Sequence, residues 1–253
     1  DLLACIMRID VNGQSPGKHY AIPLDNPFVG REDARPEIYS FGHRQIWKFS
    51  HDRKTGMMWG GEVGQDLWEM VYVIKKGGNY GWSVKEGSHP FRPERPRQET
   101  PIEKPVVEHN HNDFRSITGG YVYYGERLKE LNQHYIYGDF DTGKIWSFKY
   151  DRGEVNQWSE LADTSIRLVS FVEESDGEIL LIDYASGLLH ELAKAPPVKE
   201  TVDFPTWLSE TGLFKDTARL VPEDGVISYS VNSPLWSDNA KKFRHLAIPN
   251  KGT

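Results

Sequence analysis

The chain has 253 residues, and 37 Asp and Glu set against 30 Lys and Arg leave a formal net charge of −7. That balance argues against a nucleic-acid surface, and no run of 18 apolar residues is present to cross a membrane as a helix. A single cysteine, Cys5, excludes an internal disulfide. Twelve per cent aromatic residues with 23 Gly and 15 Pro suit many short strands and tight turns, so an all-β chain is expected. The chain opens at Asp1 inside a strand-like run and closes at Thr253 on no element. It therefore reads as an internal piece of a longer protein.

Leu2 to Val11 reads as a strand. Residues 12 to 37 carry Pro16, Pro23, Pro27 and Pro36 and read as loop. From Ile38 to Trp82 apolar and polar residues alternate with period two, the strand period. Asp52 to Gly56 is a hairpin turn, with glycine where a positive φ is needed. A further strand is expected over Leu67 to Ile74. Gly60, Gly61 and Gly64 permit bulges or close approach of another backbone.

Residues 83 to 116 are poor in apolar side chains and read as a long loop. Within it stand His109-Asn110-His111 and Asp113. An H-x-H on a strand turns both imidazoles to one face, where a carboxylate completes a metal site. The other readings are a polar loop or a substrate rim. Strands resume over Ile117 to Tyr124, Tyr135 to Asp139 and Lys144 to Tyr150. Asp139-Phe140-Asp141-Thr142-Gly143 and Asp183-Tyr184-Ala185-Ser186-Gly187 share the frame D-aromatic-x-S/T-G at an offset of 44 residues. That offset suits one four-stranded propeller blade. Composition changes at Ala195-Pro196-Pro197, dividing the chain into 1–195 and 196–253. In the second part a helical turn or two is expected over residues 204–216, with Ser209 as cap and Gly212 as stop. Val226 to Val231, Pro234-Leu235-Trp236-Ser237-Asp238 and Phe243 to Ile248 follow.

Four pieces of this sequence resemble the signature of the soluble quinoprotein glucose/sorbosone dehydrogenase family. They are Gly42-His43-Arg44-Gln45, the Asp52…Thr55-Gly56 turn, Glu62-Val63-Gly64-Gln65…Glu69, and Gly77-Gly78-Asn79-Tyr80-Gly81-Trp82. The stretch from Ile117 to Trp146 is similar to a later phrase of the same family. The resemblance implies a six-bladed β-propeller that binds pyrroloquinoline quinone (PQQ) and calcium and oxidises sugars in a bacterial periplasm or outside the cell. The expected fold is thus all-β: a partial six-bladed propeller with four-stranded antiparallel blades over 1–195, and a short irregular extension after it. The tail resembles a segment that precedes a c-type haem region in multidomain relatives, although no C-x-x-C-H occurs here.

The resemblance also assigns residues. Arg44 matches an arginine that contacts the reactive quinone carbonyl, and Gln45 replaces the asparagine beside it. Gly64 and Gln65 fall where two backbone carbonyls hold the cofactor's calcium. Glu69 keeps one carboxylate of a second calcium cluster, while Trp68, Met70 and Tyr72 replace its polar partners. Arg167 matches one of two arginines that clamp cofactor carboxylates; Val169 stands at the other, and Asp141 falls near the family's cofactor-pairing lysine. The family's catalytic histidine falls upstream of Asp1. Two readings follow: a PQQ-dependent sugar or polyol dehydrogenase, or a propeller of the same fold that binds other partners without the cofactor.

Overall fold

The computed structural model describes residues 2–96, 99–195, 205–232 and 242–247. The chain divides into two compact units, Asp1–Lys194 and Ala195–Thr253. In the first unit β1 (Cys5–Met7) pairs with β2 (Ile38–Phe41). A four-stranded antiparallel sheet follows, from β3 (Ile46–His51), β4 (Met58–Val63), β5 (Trp68–Ile74) and β8 (Val107–Asn110). The hairpin β6 (Lys85–Glu86) and β7 (His89–Pro90) interrupts its last connection. A second four-stranded sheet runs β9 (Ile117–Val122), β10 (His134–Asp139), β11 (Lys144–Asp151) and β12 (Glu154–Asp163). The third is three-stranded, with β13 (Leu168–Glu173), β14 (Ile179–Asp183) and β15 (Leu189–Glu191).

The sheets lie face to face as blades do. β9 packs against β3 and β4 on one side and β13 on the other. Strand periodicity fills both interfaces, because alternate side chains point to opposite faces. Tyr135 and Tyr137 of β10 join Trp59, Val71, Phe114 and Phe148 between the first and second sheets. Ile136, between them in sequence, packs with Leu168, Phe171 and Leu181 towards the third. On β5, Val71 faces the second sheet while Met70 and Tyr72 face the β1–β2 side with Tyr80. Burying each large side chain contributes roughly 1.5–3 kcal/mol.

The hairpin read over Asp52 to Gly56 joins β3 to β4. The same turn chemistry recurs twice. Gly56, Gly143 and Gly187 sit at φ of 73°, 71° and 70°, and each N–H donates to the carbonyl of the aspartate four residues earlier, at 2.8, 3.2 and 2.9 Å. A left-handed conformation there favours glycine. Gly61 serves another purpose. A Cβ on it would stand 2.5 Å from Gly119 Cα, so its absence lets the first and second sheets touch backbone to backbone.

Several expectations need correction. The first strand spans only Cys5–Met7, not Leu2 to Val11. The span 83–116 is not all loop: Val107–Asn110 closes the first sheet against β5. β12 and β13 carry no expectation at all; β12 is a polar edge strand, exposed along most of its length. In the second unit a 3₁₀ turn over Leu208–Glu210 stands where a helical turn or two was expected, and Ser209 lies inside it, with Trp207 at the cap position. Two antiparallel pairs follow: β16 (Phe214–Asp216) with β17 (Val221–Pro222), and β18 (Ile227–Ser228) with β19 (His245–Leu246). Pro196-Pro197, Phe204, Pro234 to Asp238 and Ile248 lie outside the described residues.

Gly61→Ala should force the two sheets apart at Gly119. Overpacking of this kind costs about 1–3 kcal/mol, which a urea melt would register as a lower midpoint. An unchanged midpoint would mean that the sheets are not held this closely.

Candidate functional site

Antiparallel connectivity brings the resemblance-derived residues, and Arg115 with them, to one end of the sheets. The segment entering β3 carries Arg44 and Gln45, and the β4–β5 connection carries Gly64 and Gln65. The segment entering β9 carries Arg115, the β10–β11 turn carries Asp141, and the segment entering β13 carries Arg167. In each sheet the entry and the second turn share an end. Bonds between sheets show that these ends coincide. Glu69 Oε2 of the first sheet accepts the Ile117 N–H of the second at 2.8 Å. The Thr118 hydroxyl donates to the Leu168 carbonyl of the third, at 2.5 Å.

Arg44 is fixed from two directions. Its N–H donates to Glu62 Oε1 at 2.7 Å. Its guanidinium donates to Gln65 Oε1 at 3.2 Å and to the Val63 carbonyl at 3.2 Å. The other Glu62 oxygen meets His43 Nδ1 at 2.9 Å. His43 is buried, stacked on Tyr80 at 4.2 Å and bonded to Ser40. It therefore points inward while Arg44 faces the cleft. Gln45 is exposed and its carbonyl accepts the Val63 N–H. Arg44 and Gln45 border an open cleft of about 370 Å³ with Cys5, Met7 and Phe49.

The turn after β4 is held by its N–H groups. The buried Glu86 carboxylate accepts from Gln65, from Asp66 at 2.7 Å and from Leu67 at 3.2 Å. The Gly64 and Gln65 carbonyls belong to this fixed turn, directly after β4. Two adjacent carbonyl oxygens on a fixed turn match the donor preference of calcium.

Glu69 is fully buried. It accepts N–H bonds from Ile117 and, at 3.3 Å, from Gly64, and His111 Nε2 lies 3.2 Å from Oε1. Burial pushes its carboxyl up to about 8, with the nearby Asp139 charge acting in the same direction and Arg44 opposing. His109 and His111 do not converge. His109 is buried, stacked on Phe114 at 4.1 Å and bonded to the Tyr137 hydroxyl at 2.8 Å, and burial lowers it to about 4. Among the described residues no group of three His, Cys, Asp or Glu is placed to hold a metal.

Arg167 is held at both ends. Its N–H donates to Asp183 Oδ1 at 2.9 Å, and its guanidinium donates to Asp141 Oδ1 at 2.5 Å. Arg115 reaches Asp141 Oδ2 at 3.5 Å. Val169 contributes its carbonyl to the Trp47 indole N–H at 3.1 Å. Trp47, Phe140, Val169 and Tyr184, with Ser116 to Thr118, line a cavity of about 250 Å³ between the strands. Sequence reasoning passed over Arg115, Glu86 and Trp47. The one available signal for Arg115 was a cation directly before a strand, in a segment read as loop.

The glucose/sorbosone dehydrogenase family model matches residues 5–190. The chain is 36% identical over 168 residues to the HIPL1 protein of Arabidopsis thaliana, covering 58% of this chain and 24% of that protein. It is 36% identical over 63 residues to the aldose sugar dehydrogenase YliI of Escherichia coli, covering 25% of this chain and 17% of that one. The PQQ-bound aldose sugar dehydrogenase of Streptomyces coelicolor superposes with a TM-score of 0.54 at 19% identity, over 77% of this chain and 49% of that structure. This last likeness is one of fold. The chain thus spans about a quarter or less of these curated relatives and about half of the solved structure.

The raised Glu69 carboxyl gives a pH dependence. Between the ordinary carboxylate pKa of 4.5 and about 8, the folded chain keeps a proton that the unfolded chain releases. Stability therefore falls as pH rises through that window. Glu69→Gln should remove this slope and gain on the parent by a few kcal/mol from pH 5 to pH 8, at about 1.4 kcal/mol per unit. Urea melts at the two pH values, with chelator present, would measure it; parallel losses in both proteins would place Glu69 as an ordinary ionised carboxylate.

Proposed function

The chain belongs to the glucose/sorbosone dehydrogenase family, and from that premise we propose that it forms part of a six-bladed β-propeller quinoprotein that oxidises a sugar or polyol hydroxyl with PQQ and calcium, in the periplasm or outside the cell. The observation that carries the reading is the Gly64–Gln65 turn, held through its N–H groups by the buried Glu86, beside a guanidinium that bonds the Gln65 side chain. PQQ supplies two-electron oxidising chemistry when bound. Gly64 and Gln65 would hold the calcium through their carbonyls. Glu69 supports that turn by accepting the Gly64 N–H, and this contact favours a role in organising the turn over one in a second calcium site.

Arg44 would face the quinone oxygen. Its backbone is pinned by Glu62 and its guanidinium is anchored to the 63–65 turn, so it need not reorganise as negative charge develops. Gln45, exposed beside it, offers an amide to the same ligand. Arg167 would meet a cofactor carboxylate at the far side of the rim.

One observation favours a second reading, a propeller that binds a partner without the quinone. Asp141 engages Arg167, and Val169 brings no charge of its own. Calorimetry on the full-length protein, with PQQ and calcium, separates the two readings. The dehydrogenase reading expects calcium-dependent binding, weakened at least about tenfold in Arg44→Ala by loss of a charge-assisted contact, and dye reduction with some member of a sugar panel. No binding at high micromolar PQQ with calcium present would instead select the partner-binding module.

A further inference from the structure

The end of the sheets carries a charge arrangement that the family resemblance accounts for only at Arg167. Two guanidiniums, Arg115 from the β8–β9 segment and Arg167 from the β12–β13 segment, converge on one carboxylate. Both backbones are pinned by buried aspartates. The Arg115 N–H donates to Asp139 Oδ2 at 2.8 Å, and the Arg167 N–H donates to Asp183 Oδ1 at 2.9 Å. The carboxylate between them, Asp141, belongs to a turn whose own N–H is fixed on Asp139 Oδ1. Three separate segments are therefore held so that the fork closes on Asp141.

The fork stands at the mouth of the 250 Å³ cavity. The Arg167 guanidinium lies over the Phe140 ring at 5.4 Å, and Phe140 is one of the cavity walls. Two polar groups of the walls are already engaged. The Trp47 N–H is given to the Val169 carbonyl and the Thr118 hydroxyl to the Leu168 carbonyl. A ligand in the cavity thus meets mainly apolar surface, and charge recognition falls to the rim. There, two guanidiniums converge on one exposed carboxylate, and their donors are the groups free to be re-used. All three side chains are partly exposed, at 62% for Arg115, 46% for Arg167 and 38% for Asp141, so exchanging the carboxylate does not require unpacking the core.

We propose that Arg115 and Arg167 form a fork for a ligand carboxylate, and that Asp141 is an internal stand-in that this carboxylate displaces or shares the fork with. Arg115 then supplies the second guanidinium that Val169 lacks, from a different segment. The inference rests on the dehydrogenase reading only for the source of the carboxylate, which is the quinone cofactor under that reading and a sugar acid otherwise. Asp141 has two consequences. It pre-organises both arginines in the unliganded protein, and it lowers anion affinity by competing for them.

Calorimetry on the full-length protein tests this with two probes: PQQ in the presence of calcium, and glucuronate. Arg115→Gln should weaken and Asp141→Asn should tighten carboxylate binding, each by about threefold to tenfold, as expected for partly exposed charge pairs. Raising the salt concentration should shrink both differences. The opposite signs matter, since a merely structural defect would weaken binding in both variants. If PQQ binds with these shifts, the carboxylate is the cofactor's. If PQQ does not bind but glucuronate does so with these shifts, the quinone reading falls and the fork stands. The inference is overturned if PQQ binds with an affinity that neither variant moves by more than about twofold. It is overturned equally if neither probe binds Asp141→Asn.

Discussion

The architecture depends on buried carboxylates that accept backbone N–H groups where the sheets meet. Removing an ionised carboxylate from water is costly unless its oxygens find donors. Here the donors are main-chain groups of segments that would otherwise be free to move. Glu69 ties β5 to the first residue of β9, Asp139 ties the entry of β9 to the β10–β11 turn, and Asp183 ties the entry of β13 to the β14–β15 turn. The opposite end repeats the device. Glu178 of the third sheet accepts the N–H groups of Glu126 and Arg127 and the Tyr123 hydroxyl, and Asp52 of the first sheet accepts the Tyr124 hydroxyl. Apolar side chains fill the interfaces, but the bonds of Glu69, Glu178 and Asp52 set how one sheet is placed on the next, while those of Asp139 and Asp183 fasten each sheet's entry to its own turn.

The same bonds explain why the candidate site is rigid although its residues sit on connections. Arg44, Arg115 and Arg167 each enter a first strand, and each has its own N–H on a buried acid. Their guanidiniums are therefore carried on fixed stems. The acids differ in how well they are solvated by donors. Asp183 receives the Ser186 hydroxyl and several N–H groups and is held well below the usual carboxylate range. Glu69 is buried more deeply, close to the Asp139 charge, and moves the other way. Two carboxylates that both accept backbone N–H groups thus differ, one staying ionised and one resisting ionisation.

Much of this was legible where a local rule governs a residue. The D-x-x-T/S-G turns announce themselves because a positive φ and a short side-chain acceptor are needed at fixed positions. The run through β4 and β5 was legible as strand because successive side chains point to opposite faces of a sheet. The 44-residue offset foretold repeated sheets. What the sequence hid depends on pairing over distance. β8 is only four residues long and lies in a polar span, so nothing local marks it; β5 recruits it. β12 bonds to a neighbour on one side and faces solvent along most of its length, so it carries little apolar pattern. His109 and His111 suggest a shared face, yet strand β8 ends between them and they acquire different partners.

The rim itself is electrostatically uneven, and this bears on how the family's chemistry is divided within the chain. Near Arg44 the polar partners are an amide and a carbonyl, so the guanidinium keeps its full charge for a ligand. Near Arg167 the partner is an ionised side chain that also draws in Arg115. A polyanion approaching this end would find an unopposed cation on one side and a shared pair of cations on the other. Attraction at the first position needs no rearrangement; at the second it requires Asp141 to yield. Under the proposed reading, binding strength and ligand selection would fall to different segments, the first to the turn after β4 and the second to the turn after β10. Because Asp141 is fixed through its N–H and not through its carboxylate, the side chain can yield while the turn that carries it stays in place.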